Sequence, residues 1–268
     1  MVMHKSGIEQ VEAHEPQSSL SGQSGSTRCP SAWAVVGFLF LCVGGAVGQT
    51  GLQPHSFEKG ITRTVKASYL LYLPQDHAKV KKTWPAILYL HGGTGRGDDI
   101  KKIMWYPLPR MLEHEASFPF IAIMPQCPEG KMWTDTGMLI ALLDDVAAQY
   151  GVDPTRVYLM GYSMGGYGVW NLAYEYPDRF AAIAPMSGRA NPWWATRIKD
   201  IPIWVFHGGK DDRVPLSETT GMIEALRAEG GTPKLSIDPN RGHSPPSDAE
   251  HQAVFAWFLT HQKKVAKR

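Results

Sequence analysis

Cysteine is scarce in this chain: three in 268 residues, Cys29, Cys42 and Cys127. The first two lie in or before an apolar N-terminal stretch, which leaves Cys127 alone in the expected folded body. One cysteine makes no intramolecular disulfide, and no pair stands at metal-ligand spacing, so neither a disulfide scaffold nor a metal site is expected. Cys127 itself reads as a small buried core residue rather than a nucleophile. An excess of one charge is lacking too. The chain carries 27 basic residues against 25 acidic ones, which gives no reason to expect nucleic acid or an anionic membrane surface as a partner. Phosphate-binding glycine patterns and ligand clusters are absent, so no cofactor is expected. There is no internal repeat.

Long apolar runs are missing as well, with one exception. Residues 32–48 read AWAVVGFLFLCVGGAVG, directly after Arg28 and its short polar flank, and end in small residues. A basic flank, a short apolar region and an Ala46-Val47-Gly48 terminus fit an export signal cleaved before Gln49, or a membrane anchor if cleavage fails. The protein is therefore expected to be exported or membrane-anchored. Glu9, Glu12 and Glu15 are unusual for the region before such a signal. Residues 1–31 are rich in Ser, Gly, Gln and Glu without apolar periodicity, which predicts disorder. The remaining chain, 49–268, has the size of one domain.

What is present in that domain is alternation. Short apolar runs bounded by turn residues recur at 67–73, 86–90, 120–124, 157–160, 182–184 and 203–206. Unalternating runs of this length suit strands buried on both faces. Between them, Leu139, Leu142, Leu143 and Val146 share a helical face, as do Val169, Leu172, Ala173 and Tyr176. Met222, Ile223 and Leu226 make a third stripe, and Val254, Trp257 and Phe258 a fourth. The pattern predicts an α/β fold with a mostly parallel, doubly wound sheet and helices on both faces. Ligands of such sheets bind beyond the carboxyl ends of the strands. The residues there are His91-Gly92-Gly93, Pro125-Gln126, Gly161-Tyr162-Ser163, Ser187-Gly188 and the segment from His207 to Asp212.

Gly161-x-Ser163-x-Gly165 follows a predicted strand and precedes a predicted helix, the setting of a nucleophile elbow. A serine hydroxyl is a weak nucleophile at neutral pH and needs a base that is itself oriented by a carboxylate. Asp211 follows the run 203–206, and His243 follows the shorter run 234–238, in the order acid then histidine. Asp212 is the rival acid. His91 and His207 close strands and read as structural hydrogen-bonding residues. His251 and His261 on the terminal helix read as surface or packing residues.

The segments LHGG, GYSMGG, HGGKDDRVP and GHS, in this order, resemble the α/β-hydrolases, in particular the small carboxylesterase, dienelactone-hydrolase-like and predicted-peptidase groups. The resemblance runs from about Arg63 to the C-terminus. It implies an α/β-hydrolase fold and a triad of Ser163, Asp211 and His243. It further implies an oxyanion hole from the backbone N–H of Met164 and one from the His91-Gly92-Gly93 loop, at Gly93. Two convergent N–H donors stabilise the charge that develops on an attacked carbonyl oxygen.

The expected activity is hydrolysis of small-molecule carboxylic esters through an acyl-serine. An exported serine peptidase on the same triad is the alternative, and a non-catalytic binding protein of the same fold a minor one. The stretch between Ser187 and Asp200 is too short for a large cap domain, which predicts an open pocket suited to short esters, carbohydrate-linked or aromatic ones included. Trp133, Trp193 and Trp194 follow strand ends and are candidates for lining it.

Overall fold

The computed structural model describes residues 56–115 and 117–264. The disorder expected at 1–31 and the signal or anchor expected at 32–48 lie outside them. The chain divides into two compact units. Of the smaller, Lys5–Arg63, the described residues 56–63 are exposed and without helix or strand. Everything below concerns the larger, from Thr64 onward. Among the described residues no helix is long and apolar enough to cross a membrane.

Seven strands form one sheet: β1 (Tyr69–Tyr72), β2 (Trp84–Leu90), β3 (Ile121–Pro125), β4 (Val152–Tyr162), β5 (Ala182–Met186), β6 (Trp204–Gly208) and β7 (Lys234–Asp238). Their spatial order is β1-β3-β2-β4-β5-β6-β7. All neighbours pair in parallel except β1, which lies antiparallel on β3 with Tyr69 opposite Pro125. The expected run 67–73 is thus a shorter edge strand running against the rest. β4 starts earlier than its apolar run, and its register with β2 shifts between Trp84 and Ala86.

Every residue of β2, β3 and β5 is buried, the consequence of helices on both faces. Alternate side chains feed two cores. On one face Leu88, Leu90, Ile123, Leu159 and Val205 pack against α2 (Thr136–Tyr150), α3 (Met164–Glu175) and α5 (Leu216–Ala228). On the other, Ile87, Tyr89, Met124, Met160 and Phe206 meet α1 (Pro107–Leu112) and α6 (Asp248–Leu259). Labelled in chain order, α4 (Ala195–Ile198) follows a 3₁₀ turn (Pro192–Trp194) between β5 and β6, and no cap domain stands there. The stripes predicted from periodicity sit on α2, α3, α5 and α6, although Tyr176 falls just past the end of α3. Asp135 starts α2 by accepting the Met138 N–H, and Ser247 and Glu250 form a reciprocal capping box on α6.

Candidate active site

The sharpest local feature of the sheet edge is the turn from β4 into α3. Ser163 sits there at φ 58°, ψ −116°, a conformation that non-glycine residues rarely adopt. Such a backbone costs on the order of 1–3 kcal/mol and persists only when its surroundings fix it. Here the Ser163 N–H donates to the Met186 carbonyl at 2.8 Å, and its own carbonyl accepts the Tyr167 N–H at 3.0 Å. The flanking glycines are required by closeness. A Cβ on Gly165 would lie 1.8 Å from the Leu90 carbonyl oxygen, and one on Gly161 would lie 2.7 Å from both the Leu90 and the Gly165 carbonyl oxygens. The first turn of α3 therefore rests directly on the end of β2, beside His91 and the glycines that follow it.

The loops after β6 and β7 bring the other groups. His243 Nε2 lies 2.8 Å from Ser163 Oγ, and His243 Nδ1 lies 2.8 Å from Asp211 Oδ2. A carboxylate only accepts, so Nδ1 carries the proton and Nε2 is left to accept from the serine hydroxyl. The other oxygen, Asp211 Oδ1, accepts the N–H groups of Arg213 and Val214 at 3.0 and 2.9 Å. Burial pushes the Asp211 carboxyl up, but the Val214 N–H, the His243 ring and the Arg213 N–H together outweigh it and hold the group below the usual carboxylate range. Its side chain is fully enclosed, whereas Asp212 is exposed. The Tyr162 ring lies 5.3 Å from the His243 ring and forms a wall beside it.

The two remaining strand-end histidines are structural, as expected. His91 is buried, with Nδ1 2.6 Å from the Gly92 carbonyl and Nε2 accepting the Cys127 N–H at 3.0 Å. His207 donates from Nε2 to the Val214 carbonyl at 2.9 Å and accepts the Thr219 hydroxyl at Nδ1 at 2.8 Å. His251 is buried rather than at the surface, and His261 is half-buried against Trp257. Cys127 is buried, and burial pushes its thiol up to about 11.

The N–H groups of Gly93 and Met164 open a 3₁₀ turn and α3 respectively, so neither has an acceptor inside its own helix. The tryptophans divide. Trp133 does not face an open pocket. It is 1 % exposed and donates its indole N–H to the His91 carbonyl at 2.9 Å, so its apolar surface is spent on packing under the loop. Trp193 is 88 % exposed, while Trp194 stacks on Tyr174 of α3 at 5.5 Å. One neighbour of the site escaped sequence reasoning. Tyr106, hydrogen-bonded to Thr94 at 2.7 Å, reaches Gly92 from a loop and has no sequence signal. Gln126, expected at the mouth from its place after β3, donates to the Gly95 and Asp99 carbonyls.

A family model, Esterase, matches residues 63–267. The chain belongs to the Esterase family. Among curated proteins it is similar to feruloyl esterase B of Neurospora crassa, at 31% identity over 49% of this chain and 47% of that one. A bifunctional acetylxylan esterase/xylanase of Neocallimastix patriciarum is 27% identical over 46% of this chain and 18% of its own. Dipeptidyl-peptidase 5 of Porphyromonas gingivalis is 26% identical over 80% of this chain and 39% of its own. The chain thus spans less than half the length of each of these three relatives. Among solved structures a thermostable esterase superposes with TM-score 0.63 at 26% identity, over 74% of this chain and 60% of that one. Esterase PE8 superposes with TM-score 0.55 at 22% identity, over 73% and 99%. At that identity PE8 supports the α/β-hydrolase fold alone.

Proposed function

We propose that this Esterase-family chain hydrolyses carboxylic esters through an acyl-serine intermediate. His243 takes the Ser163 proton at Nε2 as Ser163 Oγ attacks the ester carbonyl carbon. Asp211 keeps the proton on Nδ1 and stabilises the imidazolium that forms. The Met164 and Gly93 N–H groups receive the oxyanion. Collapse of the tetrahedral species passes the His243 proton to the departing alcohol, and the same steps with water release the acid. The observation that carries the reading is the single ring of His243 held at 2.8 Å from Ser163 Oγ on one side and 2.8 Å from Asp211 on the other.

Short esters, including acyl or aromatic esters attached to carbohydrate, are the proposed substrates, supported by the missing cap and by the similarity to a feruloyl esterase and an acetylxylan esterase. The peptidase relative, which aligns with most of this chain, favours amide cleavage as a second reading. Turnover of p-nitrophenyl acetate and butyrate is to be compared with that of aminoacyl p-nitroanilides, with Ser163→Ala as the blank. Ester turnover is expected to dominate, and amide turnover above it would reverse the ranking. Ser163→Ala and His243→Ala are each expected to lose roughly 10⁴-fold or more in kcat with circular dichroism unchanged. Full activity in either variant removes the triad. A fluorophosphonate that fails to label Ser163 in folded protein would favour the binding-protein reading. We propose also that residues 32–48 direct export or anchor the chain, which N-terminal sequencing of the expressed protein tests; an intact Met1 in a soluble cytoplasmic fraction would overturn it.

A further inference from the structure

Three consecutive carbonyl groups follow the end of β2, and a different side chain holds each one. The His91 carbonyl accepts the Trp133 indole N–H at 2.9 Å. The Gly92 carbonyl lies 2.6 Å from His91 Nδ1 and also accepts the Gly95 N–H at 3.1 Å. The Gly93 carbonyl accepts Arg96 Nε at 3.0 Å. The middle bond has a particular consequence. A peptide unit is planar and trans, so its C=O and N–H point in opposite directions. The unit that carries the Gly92 carbonyl also carries the Gly93 N–H. Once the carbonyl is drawn to a buried ring, the N–H faces away from that ring.

We propose that His91 is a positioning residue for the oxyanion donor at Gly93, its Nδ1–H anchoring the Gly92 carbonyl inward so that the Gly93 N–H is presented at the Ser163 mouth. The inference rests on the ester-hydrolase reading given above. The ring is fixed in the state this task needs. Nε2 accepts the Cys127 N–H at 3.0 Å, so the single proton of the neutral ring sits on Nδ1 and donates to the Gly92 carbonyl. Its plane is set between Tyr106, with centroids 5.5 Å apart, and Trp133, at 5.0 Å. Burial pushes the ring down to about 4, with Arg96 adding to the effect against the pull of the Gly92 carbonyl, so it stays neutral at ordinary working pH. The room for the ring comes from Gly95, where a Cβ would fall 2.5 Å from His91 Nδ1. The short bond also polarises the peptide, which makes its N–H a stronger donor to a developing oxyanion.

Asparagine and glutamine separate this role from packing. Both are neutral amides, but the amide nitrogen of Asn overlays the Nδ1 position of histidine, whereas that of Gln overlays Nε2. In the full-length chain, His91→Gln is expected to lower kcat about tenfold to a hundredfold, part of the loss that follows removal of one oxyanion donor. His91→Asn is expected to recover most of it. KM for p-nitrophenyl butyrate should change by less than about twofold in both, because the donor acts on the transition state. The inhibition constant of an alkyl trifluoromethyl ketone, which forms a tetrahedral adduct on serine, should weaken in step with kcat/KM. Equal kcat in folded Asn and Gln variants, or a loss carried by KM, would overturn the proposal. Nitrogen-15 spectra of the wild-type imidazoles give a test that needs no variant. A proton on Nδ1 of His91 at neutral pH is expected, and a proton on Nε2 would overturn the proposal. Undiminished hydrolysis by Ser163→Ala would remove the underlying reading instead. Wild-type kcat in His91→Gln, with Ser163→Ala inactive, would remove this inference alone.

Discussion

Histidine serves the Ser163 turn in two opposite ways. On the β2 side, His91 has both ring nitrogens engaged by main-chain groups, and on the β6 side His207 has one nitrogen on the Val214 carbonyl and the other on Thr219. On the β7 side His243 has one nitrogen on Asp211 and leaves the other toward the serine hydroxyl. A histidine can exchange a proton with a reacting group only through a nitrogen that the fold has not already used. Residue type alone therefore says little. What separates a base from a brace is whether the second nitrogen meets backbone or an open mouth.

The comparison is broken most severely at Asp211. Its Oδ2 lies 2.8 Å from His243 Nδ1 and 3.4 Å from His207 Nε2, so one enclosed carboxylate stands between the base and the brace. Asp211→Asn is expected to reduce kcat about 10³- to 10⁴-fold, because an amide in that place no longer holds the proton on Nδ1. Asp212→Asn should change kcat by less than about twofold, since the side chain is solvent-exposed and the His243 ring is held by its neighbour. Steady-state ester hydrolysis measures both. A large loss at Asp212 with little at Asp211 would place the acid on the wrong residue.

A smaller effect sharpens the same contrast through stability. The folded protein holds the His91 ring at about 4, against about 6.5 in an unfolded chain. Between those values the unfolded chain binds a proton that the folded one refuses, so stability rises with pH through the window. The contribution is fully present above about pH 6.5 and is lost as pH falls toward 4. The gap amounts to roughly 3 kcal/mol. His251, lowered by its burial, adds in the same direction. The depressed Asp211 loses its contribution further into acid, so it does not oppose the trend. Urea midpoints are accordingly expected to fall from pH 7.5 to pH 4.5, and to fall less in His91→Asn. A midpoint that is flat or rises on acidification would contradict the closed β2 side.

Local chemistry and chain order were readable in the sequence, and long-range contacts were not. The buried strands announced themselves because helices on both faces demand unbroken apolar runs, and the Gly161 to Gly165 turn carried its own signature. The direction of β1 was hidden, since an edge run reads alike in either orientation. The start of β4 was hidden too, because Asp153, Pro154 and Arg156 interrupt its apolar pattern at the register shift. Tryptophan shows the limit most clearly. Trp193 and Trp194 are adjacent, yet one is open to solvent and the other stacks on α3. Trp133 finds its partner 42 residues away at the His91 carbonyl, a pairing fixed only when β2 and the loop after β3 meet.

The smallest expected effect is an absence of reaction at Cys127. Its backbone N–H is the donor that fixes the His91 proton on Nδ1, so the residue belongs to the closed side of the site although its thiol takes no part. Only the thiolate alkylates readily, and burial pushes this thiol up to about 11, with Arg96 pulling slightly the other way. At pH 8 the native protein should therefore leave Cys127 unmodified by iodoacetamide while the urea-unfolded chain reacts, as peptide mass mapping of the Cys127 segment would record. Rapid modification in the native state would mean that the loop after β3 opens. An opening loop would release the Cys127 N–H from Nε2, and with it the single tautomer on which the positioning role of His91 depends.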